Sequence, residues 1–258
     1  MTGGVDAPGG INSPGHGSNA ILIRIDPKTN RVIDTIHLGG VFGDDVAIDK
    51  NAVWVLIDDD FYTPEVLRID PSTDAVAATI PLGYQNSHFI FAAAGSILAD
   101  GHMTGNGIVG DSVLSQIDPA TNQVTTTLPF ASYVWPAVGD DEVWAATGST
   151  LVQIDPVIDQ VIGQPVRIRS TGDALAVGDG GVWFLKPERR NHLFRFNPDT
   201  GKVDLSVRLP EGTTPITIVV SPGVVWILNY EGSITRVSQA PNGEASTPRS
   251  ARRMGDAE

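Results

Sequence analysis

A β-propeller of four-stranded antiparallel blades is the all-β fold that this sequence predicts, because two short motifs recur along the chain. The first is Arg-Ile-Asp-Pro-Lys-Thr-Asn at residues 24–30, which returns at 68–74 and 116–122 and, more weakly, at 153–156 and 195–201. The second is Val-Trp, which stands at residues 53–54, 143–144, 182–183 and 225–226, with Ile-Leu at 97–98 in the third repeat. Positions 26, 70, 118, 155, 197 and 238 are equivalent and lie 44, 48, 37, 42 and 41 residues apart. A period near 40 residues with strand-type contents is typical of propeller blades.

Each repeat divides into four short strands, which we name A to D in chain order. Strand C ends in Ile-Asp-Pro and strand D follows the turn, as in residues 66–69 and 76–82. The Asp side chain can accept a hydrogen bond from the backbone two residues on, and Pro presets the first turn angle. The last turn position then needs a residue that accepts a left-handed conformation. That position holds Asn30, Asp74, Asn122, Asp159, Gly201 and Asn242.

The Val-Trp motif belongs to strand B, and the short apolar run before it, such as residues 46–48, belongs to strand A. Two places before each motif stands a residue that tolerates positive φ, which predicts a tight A–B hairpin. These residues are Asn51, Gly95, Asp141, Gly180 and Gly223. Because the tryptophan recurs at one position in nearly every repeat, we interpret it as packing between blades rather than as part of a single site.

The B–C and D–A connections vary, whereas the A–B and C–D turns are uniform. Alternate turns of an antiparallel meander lie on opposite edges of the sheet, so the variable loops share one face. Rigid strands that display divergent loops commonly carry function. We therefore expect a small-molecule, peptide or protein partner on the variable loop face.

Composition narrows the classes of function. The chain has 258 residues, of which 41% are hydrophobic and 18% charged, and it contains no apolar run of the roughly 18–20 residues that a membrane-spanning helix needs. A net charge of −13 disfavours a general binder of nucleic-acid backbones. The absence of cysteine excludes disulfides, thiolate metal sites and a cysteine nucleophile. We predict no nucleic-acid partner, no membrane span and no cofactor, with Mg²⁺ or Ca²⁺ as the possible exception.

The predicted boundaries are a flexible Gly/Pro/Ser-rich segment at 1–19, the propeller at 20–238 and a disordered polar tail at 239–258. The first copy supplies only strands C and D, and the last supplies A, B and C, with four full blades between them. The chain therefore holds about five to six blades, or it is part of a larger ring. Residues 1–19 contain no signal-peptide core, and we expect an extracytoplasmic location for the full-length protein.

Residues 66–83 resemble strand C, the turn and strand D of the YVTN-repeat β-propellers, almost position by position. Residues 226–229, Trp-Ile-Leu-Asn, stand where that family has Tyr-Val-Thr-Asn. The family is related to streptogramin lyases, to NHL-type propellers and to the quinoprotein amine dehydrogenase β-chain-like superfamily, and it implies a ring of commonly seven blades. Streptogramin lyases are metal-dependent enzymes with a catalytic His and acidic partners. Their repeat typically reads Leu-Trp-Phe-Thr-Glu, but Lys186 stands in place of the glutamate, so no catalytic residue is carried over.

Five carboxylates fall on two loops of the expected functional face. Asp44 and Asp45 lie on one loop, and residues 58–60, all aspartates, lie with Tyr62 on the next. Hard cations prefer oxygen ligands, so Asp58 and Asp59 are the best candidates for a metal site. The alternative is a solvated loop tip, because the spacing matches no fixed metal-binding loop.

Other candidate residues follow from side-chain chemistry. His88, Asp100 and His102 lie on the D–A and B–C loops of one blade and can converge as acid, base or ligands. A cluster of basic residues could bind a carboxylate or phosphate group, or could be ordinary surface charge. The residues of this cluster are Arg167, Arg169, Arg189, Arg190 and His192. Aromatic rings that can line a central pocket, or pack between blades, are Tyr84, Tyr133, Trp135 and Tyr230.

Two functional hypotheses remain open. The first is a non-enzymatic binding or interaction module. The alternative is a metal-dependent lyase or a lactone-cleaving enzyme. An enzyme needs His88, His102 and a carboxylate close to one point, so histidines more than about 10 Å apart would refute it.

Overall fold

A computed structural model describes residues 20–39, 42–58, 63–102, 112–139, 142–168, 174–186, 192–238 and 249–251. The chain divides into two compact units, residues 1–131 and 132–258. All regular structure in the described residues is β-strand, arranged in one two-stranded and five four-stranded sheets. The predicted all-β propeller class is confirmed. No helix in the described part of the chain is long and apolar enough to cross a membrane.

The first unit contains three sheets, I to III. Sheet I pairs β1 with β2, sheet II is the meander β3 to β6 and sheet III is the meander β7 to β10. The strands are β1 (Ile21–Asp26), β2 (Arg31–His37), β3 (Phe42–Ile48), β4 (Val53–Asp58), β5 (Pro64–Asp70), β6 (Ala75–Pro81), β7 (Ile90–Ala93), β8 (Ser96–His102), β9 (Ser112–Asp118) and β10 (Gln123–Phe130).

The second unit contains three four-stranded meanders, IV to VI. Sheet IV runs from β11 to β14, sheet V from β15 to β18 and sheet VI from β19 to β22. The strands are β11 (Val134–Gly139), β12 (Glu142–Thr147), β13 (Thr150–Asp155), β14 (Gln160–Arg167), β15 (Leu175–Gly178), β16 (Gly181–Lys186), β17 (His192–Asn197), β18 (Lys202–Arg208), β19 (Pro215–Ser221), β20 (Val224–Asn229), β21 (Ile234–Ser238) and β22 (Arg249–Ala251).

The uniform C–D turn forms as predicted. In the first repeat the Asp26 carboxylate accepts hydrogen bonds from the Lys28 amide at 2.9 Å and from the Thr29 hydroxyl at 2.8 Å. The Asn30 amide donates to the Asp26 carbonyl at 2.8 Å, and Asn30 has a φ of 54°. Positive φ recurs at the same position in the other described repeats, at Asp74, Asn122, Asp159 and Gly201. Each turn is followed by a β-bulge between strands C and D.

The A–B hairpins follow the prediction with one exception. Gly95, Gly180 and Gly223 have positive φ values of 82°, 69° and 71°, which a tight hairpin requires. Asn51 is not among the residues with positive φ. Its turn is closed instead by the Asp49 carboxylate, which accepts from the amides of residues 51 and 52 at 2.6 and 2.7 Å. Asp141 lies outside the described residues.

The recurring tryptophans pack one sheet against the next within each unit. Trp54 of sheet II shares an apolar cluster with Ile90 of sheet III, and Trp183 of sheet V shares one with Ile218 of sheet VI. Both tryptophans are fully buried. The prediction that all of these tryptophans are core residues is wrong for Trp226, which is 40% exposed. Its sheet is the last of its unit, so no further sheet of that unit covers it.

The predicted polar tail needs a correction at residues 249–251. These residues form β22, which pairs with β21 and supplies the fourth strand of sheet VI. The sequence gives no alternating apolar pattern there. Pairing with the open edge of β21 satisfies backbone groups without requiring one. In the described residues sheet I consists of β1 and β2, which correspond to strands C and D of the first copy.

Candidate functional site

The candidate site lies at the loop edge of sheet III, where the variable B–C and D–A connections of the third repeat begin and end. The segment before β7 crosses the end of β8, because Gln85 and His102 exchange two backbone hydrogen bonds of 3.0 and 2.8 Å. This bridge places residues 85–89 beside the last residues of β8. The topology thereby brings His88, Asp100 and His102 together, as the sequence predicts for one blade.

Asp100 is the buried anchor of this edge, with 2% of its surface exposed. Its Oδ1 atom accepts hydrogen bonds from the backbone amides of His88 at 2.8 Å and Phe89 at 2.7 Å. The Ser87 hydroxyl donates to the Asp100 carbonyl at 2.5 Å and lies 3.3 Å from Oδ1. Burial raises the pKa of Asp100 to about 6, because desolvation outweighs these hydrogen bonds. The carboxylate therefore fixes the course of the D–A segment.

The imidazole rings of His88 and His102 form a pair at the surface of this edge. Their ring centroids are 6.1 Å apart, with an angle of 61° between the ring planes. His88 is exposed and also lies edge-on to the ring of Phe89, whereas His102 is half-buried. Desolvation first, and the neighbouring His88 second, lower the pKa of His102. The separation is below the limit of about 10 Å at which the enzyme hypothesis would fail.

Residues beneath the pair hold His102 in place. Nδ1 of His102 and the Ser112 hydroxyl oxygen are 3.2 Å apart. The Tyr84 ring lies against Gly101, where an added Cβ would overlap it, and the Tyr84 hydroxyl donates to the Ala99 carbonyl at 3.3 Å. Burial raises the pKa of Tyr84 above its usual range. Tyr84 therefore supports the end of β8 instead of offering an open face for stacking.

The acidic candidates next to the site have structural contacts. Asp45 Oδ2 accepts a hydrogen bond from the Ile90 amide at 3.0 Å, which connects β3 of sheet II to β7 of sheet III. Asp44 is half-buried, and Asp58, at the end of β4, is 7% exposed, so neither is a fully solvated tip. In the described ranges no group of three or more His, Asp or Glu residues could hold a metal ion. Asp59, Asp60 and Tyr62 lie outside those ranges, and the Mg²⁺ or Ca²⁺ hypothesis at Asp58 and Asp59 stays a prediction.

The remaining candidates lie either outside the described residues or in the second unit. Arg169, Arg189 and Arg190 lie outside the described residues, so the binding of a carboxylate or phosphate group by the basic cluster stays a prediction. His192, in the second unit, stacks on Phe194 with ring centroids 5.9 Å apart. Three further candidates belong to the second unit: Tyr133 and Tyr230, which are 51% and 66% exposed, and Trp135, which is partly buried.

Three polar residues of the site were not predicted from the sequence. Gln85, Ser87 and Ser112 supply the bridge and the two hydroxyl groups that surround the histidines and Asp100. The only sequence signal is that Ser87 directly precedes His88, and serine is too common in loops for that signal to be specific.

Comparison with known proteins supports the fold. No family model matches the chain, and no curated protein matches it in sequence. Among solved structures, Kuenenia stuttgartiensis hydrazine synthase is 14% identical with a TM-score of 0.64, over 84% of this chain and 70% of that one. BamB from Moraxella catarrhalis is 11% identical with a TM-score of 0.52, over 86% and 81% of the two chains. The computationally designed Ika8 protein is 13% identical with a TM-score of 0.62, over 85% and 65%.

This chain is a β-propeller protein built from multiple antiparallel blades. At sequence identities of 11–14%, these similarities support a shared fold and nothing narrower. The narrower assignment to the YVTN-repeat family stays a prediction.

Proposed function

We propose that the protein is a binding module that takes a small molecule, a peptide or a protein segment at the loop edge of sheet III. The observation that carries the proposal is the buried polar network beneath a pair of imidazoles, of which His88 is exposed and His102 half-buried. Asp100, Ser87 and Ser112 are 2%, 0% and 0% exposed, yet the His88 side chain above them is open to solvent. A site of this kind presents its contacting groups already in position.

The cost of burying Asp100 supports a functional reason for this network. Moving a carboxylate out of water costs several kcal/mol unless hydrogen bonds compensate. The same chain makes its C–D turns with exposed carboxylates, as at Asp26 and Asp70, without this cost. A D–A connection therefore does not need a buried acid for chain reversal alone. We attribute the network to positioning of His88 and Phe89 for a ligand.

Charge favours particular partners. The net charge of −13 attracts cations and disfavours polyanions at long range. Half-exposed aromatic rings border the histidines, since Phe89 and Phe91 stack with centroids 6.2 Å apart. We therefore expect a neutral or cationic ligand with a planar or apolar group.

The enzyme hypothesis remains a second candidate, because the two histidines lie together near a carboxylate. Asp100 is poorly placed as a general base, since it is 2% exposed and its Oδ1 accepts two backbone amides. Catalysis by the pair would in addition require a bound substrate whose reacting atom lies within hydrogen-bond reach of an imidazole. Binding does not require this, and for that reason we place binding first.

The test is amide NMR of the ¹⁵N-labelled chain, titrated with benzamidine, phenethylamine and indole as probes. We expect shift changes that concentrate at the amides of His88, Phe89 and His102. His88→Ala should reduce the changes, whereas the control His37→Ala, on exposed β2, should leave them as they are. Changes confined to the C–D turn amides, or none with any probe, would contradict the proposal.

A further inference from the structure

We propose that His88 and His102 together bind one divalent transition-metal ion, of the class Zn²⁺, Cu²⁺ or Ni²⁺. This inference rests on the proposed function, because it names a ligand for the same loop edge. It differs from the predicted Mg²⁺ or Ca²⁺ site at Asp58 and Asp59 in both residues and chemistry.

The spacing of the rings fits one shared ion. A histidine nitrogen binds Zn²⁺ at about 2.0–2.1 Å, which puts the ring centroid about 3.2 Å from the metal. Two imidazoles on one ion therefore have centroids about 5.2 Å apart at a tetrahedral angle and at most about 6.4 Å apart. The observed 6.1 Å lies inside this range. A rotation of the exposed His88 side chain that moves its ring about 1 Å closer to the His102 ring would bring the pair to tetrahedral geometry.

Hydrogen bonds hold the backbone of both residues in place. The His88 amide donates to Asp100 at 2.8 Å, and the His102 backbone is joined on both sides to Gln85. Two residues separate Gln85 from His88, and one residue separates Asp100 from His102. Metal binding thus needs only side-chain rotation. Because the loop backbone is already ordered, binding carries no further entropy cost for ordering it.

A neighbouring hydroxyl lies against Nδ1 of His102, so Nε2 is the nitrogen that we assign to the ion. A metal-bound histidine commonly donates its second ring N–H to an oxygen, which fixes both tautomer and ring orientation. Ser112 Oγ lies 3.2 Å from Nδ1 of His102 and is fully buried. With the proton on Nδ1 donated to Ser112, the lone pair of His102 stands on Nε2.

The ligand type decides the class of metal. Imidazole suits Zn²⁺, Cu²⁺ and Ni²⁺, whereas Mg²⁺ and Ca²⁺ require oxygen ligands. Asp100 is engaged with backbone amides, and the described residues contain no group of three metal-ligating side chains. Water or a bound molecule would complete the coordination. Such an open ion can recruit a ligand with its own donor atom.

The experiment is isothermal titration calorimetry of the full chain with ZnCl₂, NiCl₂, CuCl₂ and MgCl₂ at one ionic strength and pH 7.5. We expect one histidine-dependent site for the first three metals, and any heat with MgCl₂ to be the same in the wild type and in His88→Ala. His88→Ala and His102→Ala should each weaken binding by about tenfold or more, and Ser112→Ala by about tenfold. His37→Ala and His192→Ala, which leave the pair intact, should bind as the wild type does.

Circular dichroism of each variant provides the folding control, and His102→Gln replaces His102→Ala if the latter unfolds. Zn²⁺ binding that survives both His88→Ala and His102→Gln would overturn the inference, as would Mg²⁺ binding that is tighter than Zn²⁺ binding and is lost in His88→Ala. Absence of any metal binding overturns it as well. If benzamidine or indole still shifts the His88 and Phe89 amides in that case, the proposed function stands without the metal.

Discussion

Replacing Asp159 with asparagine is expected to stabilise the protein at neutral pH. Asp159 is the last residue of the C–D turn in sheet IV and is 3% exposed, and its two buried carboxylate oxygens have no hydrogen-bond partner among the described residues. Burial raises its pKa from 3.8 to about 6. Asparagine fits the backbone, because Asn30 and Asn122 occupy the same turn position with φ values of 54° and 56° against 48° for Asp159.

The pKa shift sets the size and the sign of the effect. A shift of about two units corresponds to about 3 kcal/mol, and relaxation of the turn around the buried charge reduces the expected effect to about 1–2 kcal/mol. Because the folded-state pKa is the higher one, the protonated Asp159 is the stable form. Its contribution is fully present below pH 3.8 and is lost as the pH rises through about 6. Asp159→Asn should therefore match the wild type near pH 3.5 and exceed it in free energy of unfolding at pH 7.5.

The assay is urea denaturation of both proteins between pH 3.5 and 8. Asp74→Asn is the matched control, because Asp74 occupies the same turn position in sheet II but pairs with Arg24 at 3.2 Å. That substitution should leave stability unchanged or lower it by up to about 1 kcal/mol. Equal stability of Asp159→Asn and the wild type at pH 7.5 would refute the reasoning, and so would a difference that does not vary with pH.

Three further substitutions test the packing of the candidate site. Asp100→Ala leaves two backbone amides without an acceptor and should cost about 2–3 kcal/mol, whereas Asp100→Asn keeps the Oδ1 acceptor and should cost less; hydrogen exchange at residues 88 and 89 separates the two. Gly101→Ala forces the Tyr84 ring to move and should cost about 1–3 kcal/mol in thermal unfolding; a stable variant would contradict this packing. Asp45→Ala removes the acceptor of the Ile90 amide and should cost about 1–2 kcal/mol, with Asp45→Asn as the control; equal losses in both variants would count against the bond.

The turns show why so much of the fold could be predicted. Asp26 acts within four residues, since its carboxylate binds the Lys28 amide and the Thr29 hydroxyl. Such a motif forms the same turn in each repeat because its hydrogen bonds involve only neighbouring residues. The exposed Trp226 and the strand β22 depend on which sheets and edges lie nearby, so local sequence carried no signal for either.

The candidate site was predictable only to the level of topology. The D–A and B–C loops of one blade meet at one edge, and this was enough to bring His88 and His102 together. The sequence did not show that Asp100 would face backbone amides instead of an imidazole. That choice depends on the crossing of Gln85 over the end of β8, a contact between residues 17 positions apart.

One structural position explains how a uniform scaffold acquires a particular function. Asp58, His102 and Tyr230 each lie four residues after the residue at the tryptophan position of their repeat, at the loop edge where strand B ends. Their exposure differs, from 7% for Asp58 through half-buried for His102 to 66% for Tyr230. The turns and the tryptophan position keep a similar backbone in each repeat, whereas the residue at this position and the loop after it differ from repeat to repeat. Among the described residues, the third repeat alone combines it with a second histidine and a buried carboxylate, which is why our proposal is directed at that repeat.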